Sequence, residues 1–121
     1  MERQEMLPDE IKAQLPKLYS QEQNPDPTVH LKLFTPWTSW SWFITEGEQQ
    51  GEDFTFFGYV IGHEKEWGYI SMNELLSVSG PAGLYIERDE YFTPKKASEI
   101  PEIETHEAQA VSIDWAAIER L

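Results

Sequence analysis

The feature that most constrains this chain is a change of period. Val29, Leu31 and Leu33 alternate with His30, Lys32 and Phe34, and Trp40, Trp42 and Ile44 alternate with Ser39, Ser41, Phe43 and Thr45. Neighbouring residues of an extended backbone point to opposite faces, so a period of two commits these segments to strands. Thr35-Pro36-Trp37-Thr38 is the turn between them. Residues 46–52 are polar and contain two glycines, which predicts a hairpin loop leading into a third strand over residues 53–61. Phe54, Phe56, Phe57, Tyr59 and Val60 make that strand apolar on both faces, as expected of one covered on both sides. Gly62-His63-Glu64-Lys65-Glu66 connects it to a fourth strand over residues 67–70. Residues 84–88 alternate once more and predict a fifth strand, at an edge.

Outside this region the period is helical. Leu7, Ile11, Leu15 and Leu18 make one apolar stripe; Pro8, Asp9 and Glu10 suit a first turn, and Pro16 stops the helix near Leu15. Residues 20–28 hold two X-Pro steps and read as a loop. Ser71-Met72-Asn73-Glu74 is a capping box that opens a helix through Leu75, Leu76 and Val78, and Ser79-Gly80-Pro81-Ala82-Gly83 ends it. The expected fold is α+β: an antiparallel sheet of four to five strands, with an N-terminal helix and a short helix near 71–78 packed on it. Residues 1–92 form the expected domain. Residues 93–121, with Glu99, Glu102, Glu104 and Glu107, read as an acidic, extended or mobile arm. Its end, residues 112–121, has the pattern of a short helix docking through Ile113, Trp115, Ile118 and Leu121.

Charge limits function. The chain of 121 residues has 22 Asp and Glu against 9 Lys and Arg, a formal net charge of −13. Nucleic-acid affinity rests on basic side chains that neutralise phosphates, and residues 29–70 offer only Lys32 and Lys65 beside six acids. Direct nucleic-acid binding is therefore not expected, although the aromatics could stack on bases. The chain has no cysteine, hence no disulfide, no thiolate nucleophile and no cysteine zinc site. No apolar stretch approaches the ~18 residues of a membrane span, and the mixed charge of residues 1–5 does not resemble a secretory leader. A soluble, cytoplasmic protein without a membrane partner is expected.

Candidate chemistry is sparse. In His63-Glu64-Lys65-Glu66-Trp67 the position of a second zinc-binding histidine is Trp67, so the metalloprotease pattern fails. No nucleophile elbow, P-loop or dinucleotide fingerprint occurs. Neither a metal nor a cofactor is expected. Asp53, His63, Glu64 and Glu66 fall at strand ends near the aromatic segment that carries Trp37 and Trp40. These six residues form the candidate binding patch, with most other rings assigned to the core and one or both of Trp37 and Trp40 expected to stay exposed.

The leading expectation is a non-enzymatic interaction protein that engages a basic, nucleic-acid-handling partner, with Glu99, Glu102, Glu104 and Glu107 as an acidic surface. Carboxylates three apart would lie ~5–6 Å from one another if that segment were helical. One alternative is a small-molecule or metal-assisted enzyme with a pocket at the strand ends. Another is a homodimer formed through the aromatic sheet face or an edge strand.

The chain also resembles a known family. Leu7-Pro8 with Ile11, Leu15-Pro16, Leu18 and Tyr19 comes first. Lys32, Phe34-Thr35-Pro36-Trp37-Thr38, Trp40 and Trp42 follow, then Asp53-Phe54, Phe56-Phe57-Gly58 and Val60. Glu64, Glu66, Gly68-Tyr69, Ser71 and Glu74-Leu75 complete the pattern. Together they resemble the small bacterial proteins grouped as the domain of unknown function DUF2958, over about residues 6–90, with Thr-Pro-Trp-Thr the most specific part. The resemblance implies an accessory protein of bacteria and their mobile elements. It implies no catalytic residues, since the family has no settled activity.

Overall fold

The structure, a computed structural model, describes residues 3–104 together with Ile118 and Leu121. Its centre is a five-stranded antiparallel sheet of β2 (Leu31–Phe34), β3 (Ser41–Gln50), β4 (Asp53–Ile61), β5 (Lys65–Ser71) and β6 (Glu87–Arg88). The strand order is β5-β4-β3-β2-β6, so the short β6 is an edge, as its sequence predicts. A separate two-stranded ladder pairs β1 (Thr28–Val29) with β7 (Lys95–Lys96). The helices are α1 (Asp9–Gln14) and α2 (Met72–Ser77). The α+β fold expected from the sequence is the one observed. No helix among the described residues is long and apolar enough to cross a membrane.

The sheet buries both faces. Strict alternation along β4 sends Phe54, Phe56 and Val60 to a first core and Phe57 and Tyr59 to a second. The first core holds Trp40, Trp42 and Ile44 and is closed by Leu15, Leu75, Val78, Ile86 and Ile118, with Ile11 and Leu121 packed against it. The second is covered by Leu18, Val29, Ala97, Ile100 and Ile103. The aromatic faces are thus filled from within the chain. Of the terminal helix expected to dock, Ile118 and Leu121 reach the first core, while Ile113 and Trp115 lie outside the described residues.

Local chemistry explains the boundaries. Leu15 leaves the helical region (φ −68°, ψ 123°) because the following Pro16 disfavours it there. The stripe therefore divides: Ile11 and Leu15 serve the first core, whereas Leu18 crosses to the second. The capping box at α2 forms in part as expected, with the Ser71 hydroxyl accepting the Glu74 N–H at 3.2 Å. A break at His30 divides the expected strand of residues 29–34, so Val29 faces the second core and Leu31 and Leu33 the first.

Residues 93–104, expected as an extended or mobile arm, are fastened to the rest of the chain. β7 pairs with β1, the Ala97 N–H donates to the Pro27 carbonyl at 2.9 Å, and Ser98 donates to Asp26 through its N–H (2.9 Å) and its hydroxyl (2.6 Å). Ala97, Ile100 and Ile103 are at most 4% exposed. Three small or branched apolar residues set among glutamates suffice to fasten a segment whose composition alone reads as solvated.

Candidate functional site

The six patch residues do not converge. Asp53 opens β4 and His63 follows its end, roughly 30 Å apart at the rise of an extended chain. Asp53 is occupied as a structural anchor. Its carboxylate accepts the Ser71 hydroxyl at 2.5 Å, the Phe54 N–H at 2.7 Å and the Asn73 N–H at 3.0 Å, which ties the start of β4 to the start of α2. Burial pushes this carboxyl upward, but the three donors together outweigh it and hold the group below the ordinary aspartate value.

At the other end His63 and Glu64 are exposed, and the His63 ring stands edge-on to Trp40 at 5.4 Å. Glu66 lies in β5 opposite Val60. Among the described residues no three acids and histidines assemble into a metal-binding group.

Of the two tryptophans, one or both of which are expected to stay exposed, neither is fully so. Trp40 is 7% exposed within the first core, and Trp37 is half-buried against it. Each lies on a glycine: a Cβ at Gly62 would stand 2.4 Å from the Trp40 ring and one at Gly80 2.5 Å from the Trp37 ring. Gly80, which reads in sequence as a helix stop, also makes room for an indole. The Thr-Pro-Trp-Thr segment is a side-chain-locked turn. Thr35 and Thr38 hydroxyls contact each other, the Trp40 N–H donates to the Thr38 hydroxyl at 3.1 Å, and the Thr35 N–H donates to the Trp40 carbonyl at 3.2 Å.

A site that the sequence does not announce lies on the second face. The polar run of residues 46–52, expected as a loop, continues β3 to Gln50. Between Ile44, which pairs with Gly58, and Glu46, which pairs with Phe57, the register shifts by the one extra residue, Thr45. Such a bulge changes the phase of the pleat. Without it Glu46 would share the face of Trp42 and Ile44; with it Glu46 enters the face of Phe57 and is 3% exposed. The Thr45 hydroxyl donates to the Phe57 carbonyl at 3.2 Å across the bulge.

Glu46 accepts the Tyr19 N–H on Oε1 at 3.0 Å and the Gln21 N–H on Oε2 at 2.6 Å, while the Gly47 N–H donates to the Pro16 carbonyl at 3.0 Å. The segment after α1 is thereby held against the bulge. Tyr19 itself has φ +72°, a left-handed conformation unfavourable for a bulky residue, and is 58% exposed. Burial raises the Glu46 carboxyl, assisted by the charge of Glu22 and opposed by the two amides; the balance remains upward.

Beneath Tyr19 is a cavity of about 50 Å³ whose walls include Phe57, Tyr69, Glu22 and Glu46. The Tyr69 phenol is pushed up to about 12, first by burial and then by Tyr19, Glu46 and Glu22. A second depression, of about 660 Å³, runs along β6 beneath Arg3, Tyr85 and Tyr91. Its charges cancel locally, Lys32 lying 4.0 Å from Asp89 and Arg88 3.9 Å from Glu90.

The expected acidic surface is present in part. Glu99, Glu102 and Glu104 are exposed, and Glu107 lies outside the described residues. Among the described residues of this segment Ala97–Glu99 is helical, as a single 3-10 turn, so the spacing of a longer helix does not apply to Glu99 and Glu102. Lys65 donates to Glu104 at 2.7 Å.

The model of the family described as a protein of unknown function, DUF2958, matches residues 6–110. No curated protein and no solved structure matches the chain.

Proposed function

The chain belongs to the DUF2958 family, and from that premise we propose that it is a non-enzymatic interaction protein whose acidic exterior engages a basic partner. The observation that carries this reading is the docking of residues 95–104. Ala97, Ile100 and Ile103 are buried while Glu99, Glu102 and Glu104 stay exposed, so these carboxylates are presented from a fastened segment. Preorganised charge loses less conformational freedom on binding than charge on a loose tail, and the net charge of −13 accelerates encounter with a cationic surface.

Surfaces that bind phosphates are the densest in Lys and Arg. The proposed partner is therefore a nucleic-acid-handling protein whose basic surface the chain occupies in place of nucleic acid. A bacterial cytoplasm is the proposed setting, in keeping with a chain that has no cysteine. The alternative of an enzyme pocket at the strand ends has no geometric support, because Asp53 and His63 sit at opposite ends of β4.

The test is recovery of a basic partner on the immobilised chain at about 50 mM salt and its release at about 500 mM, where screening is short-ranged. Reversing Glu99, Glu102 and Glu104 to lysine is expected to abolish recovery at low salt, and duplex DNA is expected to compete. No partner at any salt would sink the reading.

A further inference from the structure

We propose that the cavity beneath Tyr19 is a cage for an alkylammonium group, filled by a lysine side chain of the basic partner; this rests on the function proposed above and names the chemistry of its central contact. Tyr19, Phe57 and Tyr69 supply the walls. Their rings are mutually tilted, Phe57 to Tyr69 at 58° with centroids 5.0 Å apart and Tyr19 to Tyr69 at 54° and 5.9 Å. Aromatic faces carry negative quadrupoles that attract a cation within about 6 Å of a ring centroid, most strongly where water is excluded.

Two carboxylates complete the cage. Glu46 forms part of the buried lining and Glu22 lies at the exposed rim, and no basic side chain among the described residues lines the cavity. A buried carboxylate ordinarily has a cationic partner or a full set of hydrogen bonds. Each Glu46 oxygen accepts one N–H and retains a second lone pair. Among the described residues the site is thus electronegative and holds no cation of its own. The phenol of Tyr69, raised to about 12, remains neutral at ordinary pH and offers an uncharged ring.

Size selects among cations. The cavity measures about 50 Å³, where a single water needs about 10–15 Å³, so a head of a few heavy atoms fits. A compact ammonium on a flexible four-carbon stem suits it better than the broad planar guanidinium of arginine. The backbone around the cage is organised for exposure. Tyr19, one of the cavity walls, sits at φ +72°, and the amides of Tyr19 and Gln21 are both fastened to Glu46.

The experiment is a titration of the whole protein, followed by NMR of its tyrosine rings, with a lysine–glycine peptide, the same peptide acetylated on its lysines, and tetramethylammonium. The expected result is saturable shifts at Tyr19 and Tyr69 with the lysine peptide, none with the acetylated one, and competition by tetramethylammonium. Glu22→Gln and Tyr69→Leu are each expected to weaken binding about 5- to 30-fold, the range of one cation–aromatic or charge contact, whereas Tyr91→Ser, at a residue 94% exposed and outside the cavity, leaves it unchanged. Equal binding of the acetylated peptide, or indifference to both cage substitutions, would overturn the proposal. Shifts with tetramethylammonium but not with the lysine peptide would overturn the side-chain source and assign the cage to a free small cation. If a basic partner is still retained at low salt by Tyr69→Leu with unchanged affinity, the cage fails while the proposed function stands. If the cage binds ammonium but no basic partner is found, the reverse holds.

Discussion

The two faces of the sheet solve the burial problem differently. The first is filled by large apolar side chains: Trp42, Ile44, Phe56 and Ile70 are completely buried, and two short helices close over them. The second face mixes apolar residues with a buried carboxylate, a bulge, a left-handed tyrosine and a small cavity, and is covered mainly by irregular segments, residues 16–29 and 95–103. Glu46 is the one charged residue buried among the described residues, and it is held there by the Tyr19 and Gln21 amides. On the function proposed above, stability belongs to the first face and recognition to the second.

Deleting the largest first-face side chain is the strongest way to break that division. Trp42→Ala is expected to cost about 3–5 kcal/mol, read as a lower urea midpoint. Next comes the carboxylate that organises the second face. Glu46→Ala leaves the Tyr19 and Gln21 amides without their acceptor and is expected to cost about 2–3 kcal/mol, with loss of amide exchange protection confined to residues 17–22. Removing three acceptor contacts with Asp53→Ala is expected to cost about 1–2 kcal/mol. Smallest of all, Tyr19→Gly is expected to change stability by no more than about 1 kcal/mol, because glycine removes the left-handed penalty and Tyr19 is mostly exposed. It should nevertheless abolish the response to ammonium. A large loss of stability there would make Tyr19 a structural residue and erase the contrast.

The same two carboxylates predict opposite pH behaviour. Folding raises Glu46, so the folded chain holds that proton more tightly than the unfolded one; the resulting stabilisation is present below the ordinary glutamate value and is lost as pH rises through the raised one. Asp53 is lowered, so its contribution is present above the ordinary aspartate value and is lost as pH falls through the lowered one. Urea midpoints across the acid range should therefore show Glu46→Gln removing a decline toward neutral pH, and Asp53→Asn removing a decline toward acid.

How much of this was readable in the sequence depends on what set each feature. Trp40, Trp42 and Ile44 announced a strand because alternation is local, and Ser71 announced a helix because capping is decided within four residues. Glu46 was unreadable because its face depends on a single-residue bulge, visible only when Ile44 is matched to Gly58 and Glu46 to Phe57. Its charge among Gly47, Glu48 and Gln49 resembled a solvated loop. Leu18 and Val29 left their apparent stripes because Pro16 and the break at His30 redirected the chain. The docking of residues 95–104 rests on Pro27, Asp26 and β1, some seventy residues earlier, and no local pattern carries a contact at that separation. Ile100 and Ile103, the only large apolar residues amid the glutamates from Glu99 to Glu104, were the available hint.

The central claim, that the second face is the recognition face, is tested most directly by mapping a lysine–glycine peptide onto the protein by NMR at low salt. The expected result is shifts concentrated at Tyr19, Glu22 and Tyr69 and along the row of Glu99, Glu102 and Glu104, with Trp42 and Phe56 unmoved. Shifts centred instead on Tyr85 and Tyr91 in the depression along β6, or no shifts at saturating peptide, would contradict it.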